Sequence, residues 1–156
     1  MSAITKNDFR QVMSLFATGV AVVTARGKNG AEGATISALS SVSLDPLLLL
    51  ICLKRGSSTC QAIEESGEFS LSILSKKQED MAMFFATPSA EKNIETATFC
   101  HENGGLFVQD ALAHISCKVK EKLAGGTHEI FLSEPVGISA TSNDPLLYYK
   151  GKFNLF

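Results

Sequence analysis

The sequence predicts a mainly β fold, a closed β-barrel that carries helical inserts. Segments rich in β-branched and apolar residues recur along the chain, and turn signals such as Asn29-Gly30 separate them. Only two or three segments have helical spacing, which is typical of a barrel with inserts rather than of an α/β fold. A length of 156 residues suits one domain over residues 1–156, with room for a sizeable core.

Composition excludes several classes of partner. The formal net charge is −2, and the basic residues are scattered, so we expect no nucleic-acid partner. The longest apolar run, Leu47 to Leu53, is far shorter than the roughly 20 residues that cross a bilayer, and no secretion signal opens the chain, so we expect no membrane partner. Cys52, Cys60, Cys100 and Cys117 are widely spaced, which indicates reduced thiols in a cytoplasmic protein.

The first elements are a helix and a hairpin. Thr5 and Asp8 offer a helix N-cap, and Gly19 ends the helix. The apolar residues of this helix recur at helical spacing: Phe9, Val12, Met13, Phe16 and Ala17. Val20 to Ala25 reads as a strand because it is rich in β-branched residues, and residues 27–30 form the hairpin turn.

The stretch from Gly33 to Pro46 is predicted to be one strand that Asp45-Pro46 terminates. Alternation puts one set of side chains on the same face: Thr35, Ser37, Leu39, Ser41 and Ser43. Small hydroxyl groups leave room for a flat ligand and offer hydrogen bonds, although a strand with Ser and Thr on its solvent face explains the pattern equally well. Leu48 to Leu53 is apolar on both faces, which predicts a buried central strand.

Residues 54–59, Lys-Arg-Gly-Ser-Ser-Thr, place hydroxyl groups and free backbone N–H groups at a helix start. Ser58 and Gln61 fit a capping box, and the helix runs through Ser66 to a stop at Gly67. The N–H groups, the helix dipole and the two basic residues that open the segment favour a phosphate. Plain capping by Ser58 is the alternative.

The second half of the chain predicts further strands around one helix. Phe69 to Leu74 is a strand, and Ser75 with Gln78 opens a helix through Phe85-Ala86. Residues 87–105 are predicted to be irregular. Strands follow over residues 114–123, 129–138 and 146–149, with Pro135 marking an edge or a bulge.

Motifs for several known chemistries are absent from the sequence. There is no Gly-x-Gly-x-x-Gly after a strand, no phosphate loop and no Gly-x-Ser-x-Gly elbow. The His and Cys residues lack paired ligand spacing, so we expect no metal site. His128 follows Gly126-Thr127 at the start of a predicted strand. It is a candidate functional residue, and an ordinary surface histidine is the alternative. Phe84 to Ala86 also fits a simple core segment.

Together these segments resemble the flavin reductase family with the FMN-binding split β-barrel fold, a Greek-key barrel. Family members are the small reductase components of two-component flavin monooxygenases. The matching runs keep their order and spacing over nearly the whole chain: Phe9-Arg10, Phe16 to Val20, Val22 to Thr24, Gly33 to Pro46, Cys52-Leu53, Ser57 to Thr59, Ser66 to Phe69, Gln78, Phe85-Ala86, Gly126 to His128 and Pro145 to Gly151.

The resemblance implies a set of cofactor-binding residues. Those along the flavin ring and ribityl chain would be Thr35, Ile36, Ser37, Ala38, Leu39, Ser40, Ser41, Cys52, Leu53 and Phe153. Ser57, Ser58 and Thr59 would hold phosphate, and Phe85 with Ala86 would close over the flavin. His128 would be the catalytic residue beside flavin and nicotinamide, in a Gly-Thr-His turn where the family has Gly-Asp-His. The chain departs from the family pattern at four further positions: Ser37 where Asn is common, Leu39 where Phe is common, Leu47 where a second Pro is common and Phe153 where Tyr is common. These departures leave open whether the flavin is FMN or FAD, and whether the nicotinamide is NADH or NADPH.

The implied activity is hydride transfer from nicotinamide to flavin, in which the cofactors carry the reaction. The protein then needs to align the rings and stabilise developing charge, which requires no carboxylate pair. The resemblance also implies a homodimer with its site near the subunit boundary, and a monooxygenase that receives the reduced flavin. A flavin-binding electron carrier and a haem-binding or non-catalytic split barrel remain alternatives.

Overall fold

A seven-stranded antiparallel sheet forms the framework of the fold in this computed structural model, which describes residues 2–88, 93–154 and 156. The helices are α1 (Lys6–Met13), α2 (Ser58–Ser66) and α3 (Glu79–Ala86), with a 3-10 turn at Ile94–Thr96. The strands are β1 (Thr18–Gly19), β2 (Ala21–Gly27), β3 (Gly30–Ile36), β4 (Leu39–Leu44), β5 (Leu47–Lys54), β6 (Glu68–Ile73), β7 (Thr98–Cys100), β8 (Leu106–Val108), β9 (Ala113–Gly125), β10 (His128–Ala140), β11 (Leu147–Tyr149) and β12 (Lys152–Phe153).

The order of strands in the main sheet is β3-β2-β6-β9-β10-β5-β4, and smaller sheets contain β1-β11-β12 and β7-β8. The edge strands β3 and β4 are consecutive in the chain, with only Ser37 and Ala38 between Ile36 and Leu39. Three residue steps span at most about 11 Å, so the sheet has to curl until its two edges approach each other. Among the described residues β3 and β4 are nonetheless not paired. The predicted mainly β split barrel with helical inserts is confirmed, and the prediction of a closed barrel is wrong.

The core occupies both sides of the curled sheet. The interior contains Val23, Ile51, Leu71 and Phe131, and helix α2 adds Ile63 to it. A second cluster lies under α3 and joins it to the sheet: Val22, Leu74, Phe85 and Leu146. Burial raises the pKa of the Cys117 thiol, also in the interior, to about 12, so this thiol stays protonated at neutral pH.

The predicted continuous strand from Gly33 to Pro46 is wrong, because the chain leaves the sheet at Ser37-Ala38. Residues on either side of this break belong to β3 and β4, so they do not share one face. The pairing of β4 with β5 shifts again between Ser41 and Ser43. The stop at Asp45-Pro46 is confirmed, and that peptide bond is cis.

Strand β5 is buried on one face only, contrary to the prediction. Leu49, Ile51 and Leu53 point into the core, while the side chains between them are partly exposed. The reason is position, since β5 lies next to the edge strand β4 rather than at the centre of the sheet.

The boundaries of α1 and α2 follow the capping signals with small shifts, whereas the predicted start of a helix at Ser75 is wrong, because α3 begins at Glu79 and its cap residue Gln78 makes no side-chain cap bond. The Thr5–Asp8 capping box is confirmed, but α1 ends at Met13 instead of running to Gly19. The cap of α2 is Ser57, whose Oγ accepts from the Cys60 N–H over 3.3 Å, so capping by Ser58 is wrong by one residue. Gly67 ends α2 in the left-handed region, as predicted.

The later elements agree broadly with the sequence pattern. The hairpin at Gly27–Gly30 joins β2 and β3, and Pro135 lies where the pairing of β9 with β10 shifts. The irregular segment over residues 87–105 contains the 3-10 turn and β7, and its residues 89–92 lie outside the described part. No helix of the described residues has the length and apolar character needed to cross a membrane.

Candidate flavin site

A groove of about 930 Å³ lies between the middle of β3, the turn that joins β5 to α2, and the end of α3. Its lining residues are Glu32, Gly33, Ala34, Lys54, Arg55, Gly56, Ser57, Ser58, Thr59, Phe85, Ala86, Thr87 and Pro88. This volume is in the range of small-molecule cofactor sites.

One end of the groove is suited to an anion. Gly56, with φ of +75°, turns the chain from β5 into the N-terminus of α2, and Ser57 caps the helix. The first turn of α2 contains no acidic residue, so no carboxylate of that turn offsets the positive end of the helix dipole. Lys54 and Arg55 add positive charge. Hydroxyl groups, backbone N–H groups and cations together match the chemistry of a phosphate.

Arg55 connects this end of the groove to the turn before β10. Its Nε donates to Glu129 Oε1 over 2.8 Å, and its backbone N–H donates to the Thr127 carbonyl over 3.0 Å. His128 pairs in register with Lys54, and its Nδ1 lies 2.9 Å from Thr127 Oγ1. The predicted catalytic turn is therefore attached to the anion end, although His128 is exposed and does not line the groove.

The wall formed by α3 depends on a glycine in β3. A Cβ atom at Gly33 would lie 2.8 Å from both Cδ1 and Cε1 of Phe85, so the ring packs directly on the β3 backbone. Phe85 is buried in the cluster under α3, and its ring contacts Phe84 edge-to-face with centroids 5.0 Å apart. Ala86, the next residue, is exposed in the groove.

A second cavity of about 310 Å³ lies on the other side of Ala86. Its lining includes the end of β3, α3 and the β11–β12 hairpin: Val20, Thr35, Ile36, Ser37, Ala82, Met83, Ala86, Tyr148, Gly151 and Phe153. The Thr35 hydroxyl donates to the Ala82 carbonyl over 2.6 Å, so its hydrogen is already used within the protein. The Tyr148 and Phe153 rings pack with centroids 5.3 Å apart.

The structure brings the predicted flavin residues together in two groups. The groove contains Ser57, Ser58, Thr59, Phe85 and Ala86, and the second cavity contains Thr35, Ile36, Ser37, Ala86 and Phe153. Neither cavity is lined by Ala38, Leu39, Ser40, Ser41, Cys52, Leu53 or His128. Most of these belong to β4 and β5, which lie beyond the break at Ser37-Ala38. Leu53 is a core residue, and burial raises the pKa of the Cys52 thiol.

Sequence reasoning assigned no role to several residues at the site. Glu32, Gly33, Tyr148, Gly151 and Glu129 line the cavities or hold Arg55. Tyr148 and Gly151 lie within the run Pro145 to Gly151 that matches the family, so the sequence could have indicated a role for them. No sequence pattern indicates a role for Glu32 or Glu129, because strand pairing places both residues at the site.

The donor set fits a phosphate-bearing organic cofactor better than a metal ion. Besides the anion end, the groove is bordered by Glu32, whose Oε2 is buried without a hydrogen-bond partner in the described chain, an acceptor suited to a ligand hydroxyl or amino group. In the same described part, no group of three or more His, Cys, Asp or Glu residues is placed to hold a metal ion.

Comparisons with known proteins give the family of the chain. The family described as "Flavin reductase like domain" matches residues 13–155. The reductase component of a 4-nitrophenol 4-monooxygenase/4-nitrocatechol 2-monooxygenase from Rhodococcus opacus is 39% identical over 156 residues, covering 100% of this chain and 84% of the relative. A flavin reductase (NADPH) from Lentzea aerocolonigenes is 36% identical over 153 residues, covering 96% of this chain and 89% of the relative. Among solved structures, the Streptomyces globisporus NADH:FAD oxidoreductase SgcE6, in complex with NAD and FAD fragments, superposes with a TM-score of 0.89 at 31% identity, covering 100% of this chain and 97% of that one.

The contact between Gly33 and Phe85 yields a stability prediction. Gly33→Ala should lower the free energy of unfolding by about 1–3 kcal/mol, because the added methyl group overpacks against the ring. Phe85→Leu removes the ring edge that the new methyl group would contact. The loss of unfolding free energy in the double variant should therefore be smaller than the sum of the two single losses, by about 0.5–3 kcal/mol. Urea denaturation followed by circular dichroism measures all three variants.

Gly137→Ala is the matched control for this experiment. A Cβ atom there would lie 3.6 Å from Ser116 Oγ, an ordinary contact, and little change is expected. Strictly additive effects of Gly33→Ala and Phe85→Leu would contradict the proposed packing.

Proposed function

The chain belongs to the flavin reductase-like family, and we propose which of its residues bind flavin and which proteins it interacts with. The protein is an NAD(P)H-dependent flavin reductase, as its relatives are. We propose that reduced flavin leaves it for a flavin-dependent monooxygenase, since relatives are named as reductase components of monooxygenases. Residues 1–156 are taken as a single domain of this family.

The observation that carries the proposal is the groove whose anion end is formed by α2, Lys54 and Arg55. We assign the flavin phosphate to this end, where Ser57, Ser58 and Thr59 supply hydroxyl groups and the first turn of α2 supplies N–H groups. The Ser57 N–H is not among them, because it donates to the Lys54 carbonyl over 3.2 Å. The isoalloxazine ring then lies toward Gly33 and α3, with Ala86 at its edge. The space at Gly33 itself is filled by the Phe85 ring, so the room for a flat ring lies beside the small side chains of Ala34 and Ala86.

Flavin held in the groove would supply the redox chemistry, as the acceptor of the hydride from nicotinamide. The chain's own residues have to fix the phosphate, hold the two rings at reacting distance and exclude water. Backbone N–H groups and hydroxyls can stabilise the negative charge that develops at the flavin N1–C2–O2 edge. No residue of the groove needs to act as a general acid, because solvent can supply the proton that follows hydride transfer.

Turnover of free flavin is the direct test of the function. Purified protein mixed with FMN or FAD and excess NADH or NADPH under anaerobic conditions should lose nicotinamide absorbance at 340 nm. The reduced flavin should pass a filter that retains the protein, which an electron carrier with tightly held flavin does not allow. Absence of nicotinamide oxidation with every flavin and nicotinamide pair would contradict the reductase assignment.

We assign His128 to the alignment of nicotinamide with the flavin. It lies in the turn that Arg55 joins to the anion end, and the Thr127 hydroxyl orients its ring. His128→Ala should slow hydride transfer about 10- to 100-fold and leave most of the flavin affinity intact, because small misplacements of a reacting group carry costs of that size. Stopped-flow absorbance at low nicotinamide concentration measures the rate.

His101→Ala is the control for the loss of an exposed histidine elsewhere in the chain. An unchanged hydride-transfer rate in His128→Ala would reduce His128 to an ordinary surface residue.

A homodimer is supported by an apolar stripe on α1. No residue of α1 is buried, and Phe9 is 62% exposed, with Val12 and Met13 also exposed on the same helix and Phe16 71% exposed just beyond it. Exposed apolar residues at helical spacing are typical of an interface. The resemblance to the family implies a dimer, and we propose that a second copy of this chain covers the stripe.

Sedimentation velocity tests the oligomeric state. The wild-type protein should sediment as a dimer at micromolar concentration, and Phe9→Asp with Phe16→Asp should shift it to a monomer, since two charges would be buried in the interface. Gln11→Asp, an exposed change on the same helix, should remain dimeric. A monomeric wild-type protein would exclude this interface.

We also place the protein in the cytoplasm. Its four cysteines are all free, and thiols persist in reducing compartments. Cell fractionation checks this location, and recovery outside the cytoplasm would contradict it.

A further inference from the structure

A carboxylate from a different strand holds Arg55 at the rim of the groove. Arg55 Nε donates to Glu129 Oε1 over 2.8 Å, and the two residues are 74 positions apart in the chain. The Glu129 side chain is only 10% exposed, whereas about half of the Arg55 side chain is exposed, at 51%. Glu129 is therefore the fixed end of the pair, and Arg55 is the end that reaches the groove.

The backbones of both residues are also held in place. Glu129 pairs with Leu53 in the ladder between β5 and β10, two residues before Arg55. The Arg55 N–H donates to the Thr127 carbonyl over 3.0 Å, which continues that ladder past the end of β5. The backbone of Arg55 is thus already fixed, and the hydrogen bond to Glu129 fixes the guanidinium at the end of its side chain as well.

Only the Nε edge of the Arg55 guanidinium is used by the ion pair. In the residues that the structure describes, neither Nη1 nor Nη2 of Arg55 donates to an acceptor. A guanidinium can bind a carboxylate with one edge and still present its terminal N–H groups to a phosphate, which accepts them in pairs.

We propose that Glu129 is a positioning residue that presents the Arg55 guanidinium to the phosphate of the bound flavin. The inference rests on the proposed function, which assigns the phosphate to this end of the groove. A free arginine loses rotamer freedom when it captures a phosphate, and an arginine already anchored by Glu129 loses less. Glu129 therefore favours binding of an anion although it is itself an anion.

The sign of the effect separates positioning from simple electrostatics. Coulomb repulsion alone predicts that removal of the Glu129 charge tightens the binding of a phosphate. Positioning predicts the opposite, provided that the acceptor for Arg55 Nε is removed together with the charge. Gln keeps an acceptor oxygen at that position, and Ala does not.

The experiment compares FMN with riboflavin, which has the same ring and ribityl chain but no phosphate. Dissociation constants come from the quenching of flavin fluorescence on titration with Arg55→Ala, Glu129→Ala, Glu129→Gln and the double alanine variant. Arg55→Ala should weaken FMN binding about 10- to 100-fold, the range of a hydrogen bond to a charged group, with riboflavin changed by less than about twofold. Glu129→Ala should weaken FMN binding about 3- to 10-fold, and Glu129→Gln should stay close to wild type.

The double variant shows whether Glu129 acts through Arg55. In the Arg55→Ala background, Glu129→Ala should cause no further loss of FMN affinity relative to riboflavin. Glu134→Ala is the matched control, since Glu134 also lies in β10 and forms an ion pair, with Lys120 at 2.7 Å, outside the groove. Retained riboflavin binding shows that each variant is folded.

Each outcome has one interpretation. Unchanged or tighter FMN binding in Glu129→Ala, or an unchanged ratio of FMN to riboflavin affinity in Arg55→Ala, would overturn the inference. A wild-type protein that binds none of FMN, FAD and riboflavin would instead overturn the proposed function.

Discussion

The short connection between β3 and β4 is the constraint on which the rest of the structure depends. Two residues join strands that lie at opposite edges of a seven-stranded sheet. Because so short a connection cannot cross a flat sheet, the sheet must curl. The interior of the curl becomes the core that contains Ile36, Leu49 and Phe131. In the part of the chain that the structure describes, no strand pairs with β3 on its outer edge, and the groove forms there, between β3, α3 and the start of α2. The groove that we propose for the cofactor thus lies at an open seam in an otherwise barrel-like sheet.

Much of the fold could be predicted from local patterns. The capping box at Thr5 and Asp8, the Asn-Gly hairpin and the glycine stop at Gly67 act within a few residues, and all three are present. The same local logic missed the break at Ser37-Ala38. Alternation of hydroxyl residues continues through this break in the sequence, and only the need to cross between sheet edges interrupts the strand.

The candidate site likewise contains residues that local sequence patterns indicate and residues that only strand pairing brings there. The start of α2 could be identified because hydroxyl groups, a glycine and basic residues follow one another, although the cap is Ser57 rather than Ser58. Leu39 and Ser41 were grouped with Thr35 on the assumption of one straight strand, and the break separates them. Glu129 could not be found at all, since its contact with Arg55 crosses 74 positions and depends on the register of two strands.

Ala86 has a consequence for attempts to redesign this protein. Its small side chain borders both the groove and the second cavity, so a single methyl group forms part of the wall between them. Any larger residue there takes volume from the two spaces at once. Selection for a bulkier substrate in one space therefore cannot use this position independently of the other, and mutant libraries gain more from Met83 on the one side and Glu32 on the other, since each borders only one of the two.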